Sequence, residues 1–240
     1  MLTVHTSSTP LVEAGEALNG CLRETAGHDV LLLLSGGSAL RIVEHIDTAL
    51  LSSHITISML DERYTHDPTE SNFAQLTTLP MWDAACKAGV RHIDTRPLPI
   101  ESLEDTAHRL NIAFKHWHIT HHDAVVVATV GIGPDGHIAG ILPYPSDPTL
   151  FASLFLSDHR CIRGYQVSVE KNPHTKRITT TLAYLKRHVA RAVVYATGEE
   201  KRTALMALHG SAPIEQVPAR ILTALPDVQL YTDLSLQVIS

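Results

Sequence analysis

The chain has 240 residues, of which 44% are hydrophobic and 18% are charged, and its formal net charge is −6 with the 16 histidines counted as neutral. This composition excludes a disordered chain and a disulfide-rich miniprotein. The acidic balance argues against nucleic acid or a membrane surface as a partner, because binders of either usually carry a basic face. No segment approaches the roughly 18 apolar residues of a membrane span.

The three cysteines, Cys21, Cys86 and Cys161, are widely spaced and form no Cys-x-x-Cys pair. This spacing argues against a zinc ribbon and against a disulfide framework. The amino-terminal segment has neither the basic start nor the long apolar stretch of a secretory signal. We therefore expect a protein of the reducing cytoplasm.

Apolar runs of strand length alternate with helical patterns along the chain. The predicted strands are residues 2–5, 30–34, 55–60, 124–130, 192–196 and 228–231, and the predicted helices are residues 11–22, 38–51, 103–117 and 199–208. The runs are nearly continuous in apolar character, which is typical of strands buried on both faces of a parallel sheet. Since no linker, charge block or repeat interrupts this pattern, it predicts one α/β domain over residues 1–240, with helices on both faces of a mostly parallel, doubly wound sheet.

Polar, mostly glycine-containing segments follow three of the predicted strands. They are Ser35-Gly36-Gly37-Ser38, Asp61-Glu62-Arg63 and Gly131-Ile132-Gly133-Pro134-Asp135-Gly136-His137. In an open parallel sheet, ligands bind beyond the carboxyl ends of the strands. The coincidence of three such strand ends predicts a functional site there.

The segment from Ser35 to Ser38 is a candidate phosphate site. Two glycines allow the backbone to approach a ligand, and the helix that follows offers free N–H groups. The alternative is an ordinary βα turn in which Ser38 caps the helix. The segment lacks the Walker pattern G-x-x-x-x-G-K-[ST], so nucleotide hydrolysis is not supported.

The segment from Gly131 to His137 formally matches the dinucleotide pattern G-x-G-x-x-G. We reject that interpretation, because Pro143 and Pro145 arrive before a full helix can form. What remains is a rigid turn that presents Asp135 and His137, and His137 is a candidate general base. The alternative is a surface histidine in a turn.

The segment after the third strand run combines two acids with a guanidinium. Arg63 is suited to a bidentate grip on phosphate or carboxylate. An ordinary ion-pair cluster is the alternative. Downstream, Ser71-Asn72 predicts a helix cap.

Several motifs together resemble the family of 6-phosphogluconolactonases, which are relatives of the glucosamine-6-phosphate deaminases. The resemblance is carried, in family order and over most of the chain, by Ser35-Gly36-Gly37-Ser38, Asp61-Glu62-Arg63-Tyr64, Asp67-Pro68, Ser71-Asn72-Phe73, Gly131-Ile132-Gly133-Pro134-Asp135-Gly136-His137-Ile138-Ala139, Arg177-Ile178-Thr179-Thr180-Thr181-Leu182 and Ala196-Thr197-Gly198-Glu199-Glu200-Lys201. The block that ends in His137 is the most diagnostic of these motifs.

The resemblance implies a three-layer α/β/α fold, Rossmann-like and of the deaminase/isomerase type. It implies hydrolysis of 6-phospho-D-glucono-1,5-lactone to 6-phospho-D-gluconate in the oxidative pentose phosphate pathway, with a small phosphorylated sugar lactone as the partner. By motif position, His137 is the catalytic histidine. The residues that line the phosphate and sugar site are then Ser35, Gly36, Gly37, Ser38, Arg63, Arg177 and Lys201.

Lactone hydrolysis itself requires an activated water, a stabilised oxyanion and a proton for the leaving ring oxygen. A neutral His137 can serve both proton transfers. Either Asp61 or Asp135 can orient its imidazole, and Arg63 or loop amides can bind the oxyanion. We expect no metal or other cofactor, and a monomer or small homo-oligomer. The histidine tract His116, His118, His121 and His122 is predicted to be a solvated connection between a helix and a strand.

Where the family usually has Ala-Ser-Leu-Phe-Pro-Gly after the histidine, this chain has Ala139-Gly140-Ile141-Leu142-Pro143-Tyr144. A hydroxyl is therefore missing at Gly140. Deaminases have an acid where this chain has Leu142 and typically a tyrosine where it has Arg63. Both differences favour the lactonase, and deamination is kept as the alternative enzymatic activity. A non-catalytic sugar-phosphate-binding module is a further alternative, although no basic helix pair for DNA binding is present. A serine hydrolase using Ser35 lacks the G-x-S-x-G elbow.

Overall fold

Strands and helices alternate through most of the structure, a computed structural model that describes residues 1–157, 159–170 and 172–236. The strands are β1 (Leu2–Thr6), β2 (Val30–Leu34), β3 (Ile55–Met59), β4 (Asp61–Arg63), β5 (Arg91–Ile93), β6 (Val125–Gly131), β7 (Ile162–Gln166), β8 (Lys176–Thr180), β9 (Val189–Tyr195) and β10 (Asp227–Thr232). The α-helices are α1 (Pro10–Glu24), α2 (Asn72–Thr77), α3 (Pro80–Lys87), α4 (Leu103–Thr120), α5 (Pro148–Phe155), α6 (Leu182–His188) and α7 (Arg202–Ala207). Within these described ranges, four 3₁₀ helices cover Gly37–His45, Thr48–Leu50, Glu199–Lys201 and Pro218–Ala224.

The central sheet has seven strands in the order β1-β10-β9-β6-β2-β3-β5. Every neighbouring pair in this sheet is parallel. All seven carboxyl ends therefore lie along one side of the sheet, where ligands of such folds bind. The predicted α/β fold with a mostly parallel sheet is confirmed, as are all six predicted strands to within a few residues.

Strand β2 shows why its sequence is a continuous apolar run. Leu31 and Leu33 pack into the core layer that contains α4, whereas Val30, Leu32 and Leu34 pack into the layer that contains α1. Successive side chains of a strand point to opposite faces, so a strand covered on both sides needs apolar residues at every position. All five are buried, and each contributes about 1.5–3 kcal/mol of burial free energy.

The predicted helix over residues 38–51 is wrong in type, since the chain forms the 3₁₀ helices Gly37–His45 and Thr48–Leu50 there. Contact with α1 explains where the first of these ends. The Asn19 side chain donates to the carbonyl of His45 (2.9 Å) and accepts from the backbone N–H of Asp47 (2.9 Å). These backbone groups are therefore held by α1 instead of by a continuing helix.

A second, antiparallel sheet has the order β4-β8-β7 and was not predicted. Its first strand, Asp61–Arg63, follows β3 after a single residue, and the carbonyl of that residue, Leu60, accepts from the N–H of Thr180 in β8 (3.0 Å). The polar segment that the sequence placed at the end of a strand is thus itself a second strand. Within the described part of the chain, no helix is both long and apolar enough to cross a membrane.

Candidate active site

A pocket of about 300 Å³ lies beyond the carboxyl ends of β2, β3, β6 and β9. Nine of the ten residues that the sequence predicted for the site line it: Ser35, Gly36, Gly37, Ser38, Asp61, Arg63, His137, Arg177 and Lys201. The tenth, Asp135, is hydrogen-bonded to His137. The fold therefore brings together segments that are far apart in the sequence.

His137 and Asp135 form a pair within the turn that follows β6. The Asp135 Oδ1 atom lies 2.6 Å from Nδ1 of His137 and accepts its backbone N–H at 3.1 Å. Burial by itself raises the pKa of Asp135, but the hydrogen bonds and the charge of His137 outweigh burial and leave that pKa below its ordinary value. A neutral imidazole that donates its Nδ1 hydrogen to Asp135 has the lone pair of Nε2 available to a ligand.

Gly133 is required by the close packing of this turn. Its N–H donates to the carbonyl of His137 (3.0 Å), and a Cβ atom at this position would lie 2.0 Å from Nδ1 of the ring. No side chain fits in that space. The glycine therefore keeps the imidazole against the backbone and close to Asp135.

Asp61 contacts Arg177 and not the imidazole. Its Oδ2 lies 3.9 Å from Nη1 of Arg177, and both side chains are buried. Asp61 also explains the missing hydroxyl at Gly140, which has φ of +66°, because a Cβ atom there would lie 2.7 Å from Oδ2 of Asp61. Of the two carboxylates that the sequence left as alternatives, Asp135 is the one that is hydrogen-bonded to the His137 imidazole.

Two arginines face each other in the second sheet. Arg63 of β4 and Arg177 of β8 are direct partners in the antiparallel register, and Arg177 is only 6% exposed. The Nε atoms of both are buried and have no hydrogen-bond partner among the described residues. Like charges directly opposite each other are destabilising, and buried polar groups without partners cost free energy. An anionic ligand in the pocket relieves both penalties.

Lys201 adds a third positive charge at the end of the short 3₁₀ helix after β9. The residue is 9% exposed, and its ammonium has no hydrogen bond or ion pair with another described side chain. Burial lowers the pKa of Lys201, and the carboxylates of Glu200 and Asp233 partly oppose this effect. A buried ammonium without a close counter-ion favours an anion in the pocket.

The glycine loop begins the 3₁₀ helix Gly37–His45 beside the pocket. Gly36 is the N-cap, and no side chain makes a capping hydrogen bond. The alternative in which Ser38 caps this helix is therefore wrong. The first N–H groups of the helix remain available to an anion, as at other helix starts.

Glu62 lies on the opposite face of β4 from Asp61 and Arg63, because side chains alternate along a strand. It is 1% exposed. Its carboxylate accepts from five groups: the backbone N–H of Arg63 (2.9 Å), Asn72 (2.7 Å) and Phe73 (2.8 Å), and the hydroxyls of Ser71 and Thr95 (3.1 Å each). Glu62 thus ties β4 to the start of α2. The predicted cap is confirmed, since the Ser71 Oγ accepts from the N–H of Ala74 (3.0 Å).

Sequence reasoning missed two parts of the pocket wall. Asn72 was interpreted as part of a cap and of a family motif but not as a site residue, yet its Oδ1 is buried in the wall without a partner among the described residues. The β7–β8 connection supplies Asn172, Pro173 and His174. A proline between two polar residues, just before Arg177, is the signal that could have identified this loop.

The histidine tract is not a solvated connection throughout, because α4 continues to Thr120. His118 is partly buried, with Nε2 2.9 Å from the Tyr184 hydroxyl and its ring centroid 4.2 Å from that of His188. His121 lies on Trp117 and contacts Arg91. Among the residues that the structure describes, no group of three or more His, Cys, Asp or Glu side chains is arranged to hold a metal ion.

The sheet and pocket together define an α/β protein with a histidine–carboxylate pair and a cationic wall at the carboxyl side of a parallel sheet. The model of the family glucosamine-6-phosphate isomerases/6-phosphogluconolactonase matches residues 11–230, and the chain belongs to this family. No curated protein sequence matches the chain.

Solved structures share the fold over nearly the whole chain. A 6-phosphogluconolactonase from Shewanella baltica OS155 has a TM-score of 0.74 at 17% identity, over 97% of each chain. A 6-phosphogluconolactonase from Thermotoga maritima has a TM-score of 0.71 at 16% identity, over 97% of this chain and 98% of the other. A monomeric glucosamine-6-phosphate deaminase has a TM-score of 0.69 at 18% identity, over 96% of each chain. The fold is therefore common to both activities.

Proposed function

We propose that this protein is a 6-phosphogluconolactonase, which hydrolyses 6-phospho-D-glucono-1,5-lactone to 6-phospho-D-gluconate. The observation that carries the proposal is that one pocket holds both the His137–Asp135 pair and three buried or half-buried cations. The histidine–aspartate pair can activate water, and the cations can hold a phosphate. Membership of the family supports the same conclusion.

His137 acts as the general base and then as the general acid. Its Nε2 takes a proton from water as the water oxygen bonds to the lactone carbonyl carbon. The tetrahedral intermediate then collapses, the bond from that carbon to the ring oxygen breaks, and Nε2–H returns the proton to the leaving alkoxide. Asp135 holds Nδ1–H throughout and stabilises the imidazolium between the two steps.

The cationic wall binds the phosphate and fixes the distance from it to the lactone carbon. Arg177 and Lys201 contact the phosphate beside the first N–H groups of the Gly37–His45 helix, and Asp61 orients Arg177. Arg63 faces the sugar or the developing oxyanion. Binding energy from the remote phosphate thereby aligns the carbonyl with His137.

Deamination of glucosamine 6-phosphate is the competing hypothesis within the family. It needs an acid that shuttles protons during ring opening, at the position of Leu142. Leu142 is buried in the apolar core and is not part of the pocket wall. Its side chain carries no proton, so lactone hydrolysis is the better fit.

The proposed activity belongs to the oxidative pentose phosphate pathway. We place the enzyme in the cytoplasm, as a monomer or small homo-oligomer in one domain, with neither nucleic acid nor a cofactor as a partner. A non-catalytic sugar-phosphate sensor is the remaining alternative, and the His137–Asp135 pair favours catalysis over it.

The test is hydrolysis of 6-phosphogluconolactone with the spontaneous rate subtracted, in the wild type and in His137→Ala. We expect the variant to lose about 10²–10⁴ in kcat, the usual contribution of a general acid–base group. Its affinity for 6-phosphogluconate should hardly change, because the imidazole acts at the reacting carbon. A variant that keeps more than a third of the wild-type kcat contradicts the role of His137, and a wild type without activity contradicts the function.

A further inference from the structure

His174 is a fourth basic side chain in the pocket wall, and the proposed reaction does not use it. It lies in the connection between β7 and β8, and 27% of its side chain is exposed. An Asn172 side-chain oxygen accepts its backbone N–H at 2.9 Å, which holds the loop in a tight turn. The ring is therefore placed at the pocket by a local backbone structure.

The charged groups that face His174 come from three other elements. Arg63 of β4 and Arg177 of β8 line the same pocket as His174, and their charges disfavour its protonated form. Glu70, from the segment between β4 and α2, places Oε2 3.8 Å from Nδ1, which is beyond hydrogen-bond length. Burial lowers the pKa of His174, Arg63 and Arg177 lower it further, and Glu70 only partly opposes them.

A bound dianion reverses this balance. A phosphate that contacts Arg177 neutralises part of the positive field that keeps His174 uncharged, and it adds a negative field of its own. Glu70 is already in place as a second negative neighbour. A bound dianion therefore favours the protonated form of this imidazole.

We propose that His174 takes up a proton when a phosphorylated ligand fills the pocket, and that it thereby strengthens binding of phosphorylated over unphosphorylated sugar acids. The identity of the ligand rests on the proposed function, but the coupling does not. The complex holds more protons than the free protein, so affinity rises as the pH falls through the range in which His174 titrates.

The experiment is calorimetric titration with 6-phosphogluconate in two buffers of different ionisation enthalpy, for the wild type and His174→Gln. At pH 7 we expect the wild type to bind as much as about half a proton more than the variant when the ligand binds. We expect the variant to bind about tenfold more weakly at pH 6 and less than about twofold more weakly at pH 8.5. Proton exchange at the phosphate itself is common to both proteins and cancels in this difference.

His66→Gln is the matched control, because His66 is exposed, lies on the neighbouring segment and does not line this pocket. It should behave as the wild type does. Equal proton uptake and equal affinity in the wild type and His174→Gln would overturn the inference.

Inorganic phosphate as a second probe separates this inference from the proposed function. Proton uptake on phosphate binding that depends on His174, in a protein without lactonase activity, supports the coupling and contradicts the function. If neither phosphate nor 6-phosphogluconate binds to the wild type, both proposals fail.

Discussion

At the scale of single residues, the buried cations Arg177 and Lys201 determine the pocket's preference for an anionic ligand. Arg177 and Lys201 come from different elements, yet each is at least nine-tenths buried. Nε of Arg177 has no hydrogen-bond partner among the described residues, and the ammonium of Lys201 makes no hydrogen bond or ion pair with another described side chain. Asp61, at 3.9 Å from Arg177, offers too long a contact to satisfy its guanidinium. The free energy of both cations therefore depends on what occupies the pocket.

Replacement of Lys201 or Arg177 by alanine should lower kcat/KM for the phosphorylated lactone by about 10- to 150-fold. This range corresponds to the loss of one charge-assisted hydrogen bond of roughly 1.5–3 kcal/mol. Hydrolysis of unphosphorylated gluconolactone should hardly change, because that substrate never makes the contact. The measurement is the ratio of the two kcat/KM values.

Lys176→Ala is the matched control for these variants. Lys176 precedes Arg177 on β8, is exposed and lies over the ring of Tyr64. Its removal should leave both substrates unaffected. Equal losses on both substrates in Lys201→Ala and Arg177→Ala would indicate damage to the fold and not a lost phosphate contact.

At the scale of elements, the short strand β4 connects the pocket to the core. Its alternation sends Asp61 and Arg63 to the pocket and Glu62 to the start of α2. Burial raises the pKa of Glu62, while the five hydrogen bonds that its carboxylate accepts favour the charged form. The Glu62 carboxylate thus holds in position the neighbouring pocket residues Asp61 and Arg63, and also Asn72.

Glu62→Gln should lower the free energy of unfolding by about 1–3 kcal/mol, since an NH₂ group then faces hydrogen-bond donors that have lost their acceptor. KM should also rise, because Arg63 and Asn72 are no longer held. Urea denaturation and steady-state kinetics measure the two effects. Glu44→Gln is the control, because Glu44 is exposed and has only a 3.7 Å contact to Arg41. It should change neither the free energy of unfolding nor KM. An unchanged unfolding midpoint in Glu62→Gln contradicts this account.

At the scale of the whole molecule, α4 and α6 meet through a cluster of aromatic and imidazole rings. His118 of α4 contacts both Tyr184 and His188 of α6. Burial, followed by the charges of His188 and His121, lowers the pKa of His118 to about 4. This contact makes the packing of the two helices sensitive to acid.

Between about pH 6.5 and 4 the unfolded chain binds a proton at His118 that the folded protein does not bind, so stability falls as the pH falls through this window. The wild type should lose roughly 1 kcal/mol more than His118→Gln between pH 7 and 4.5, a modest value because water screens the half-exposed ring. Urea midpoints at several pH values measure this difference. His28→Gln, at an exposed position, is the control, and its urea midpoints should change with pH as those of the wild type do. Parallel pH profiles for the wild type and His118→Gln would contradict the prediction.

The sequence by itself determined the elements whose signal is local. Continuous apolar runs such as Val30–Leu34 specify doubly covered strands, and the parallel sheet follows from their alternation with helices. The turn that presents His137 and Asp135 was also predicted, because the two residues are neighbours in one glycine-rich segment, but the sequence left Asp61 as an alternative partner of the imidazole. The chemical roles of these residues remain predictions until the variants are measured.

Only the tertiary structure decided the features that depend on contacts between distant parts of the chain. The register that sets Arg63 against Arg177 pairs strands with little apolar periodicity, so no local pattern indicates it. The end of the 3₁₀ helix Gly37–His45 depends on Asn19 of α1, and the place of His174 in the wall depends on where the β7–β8 connection folds back. Local propensity distinguishes a helix from a strand over a dozen residues, whereas which side chains share a pocket is determined by packing across the whole molecule.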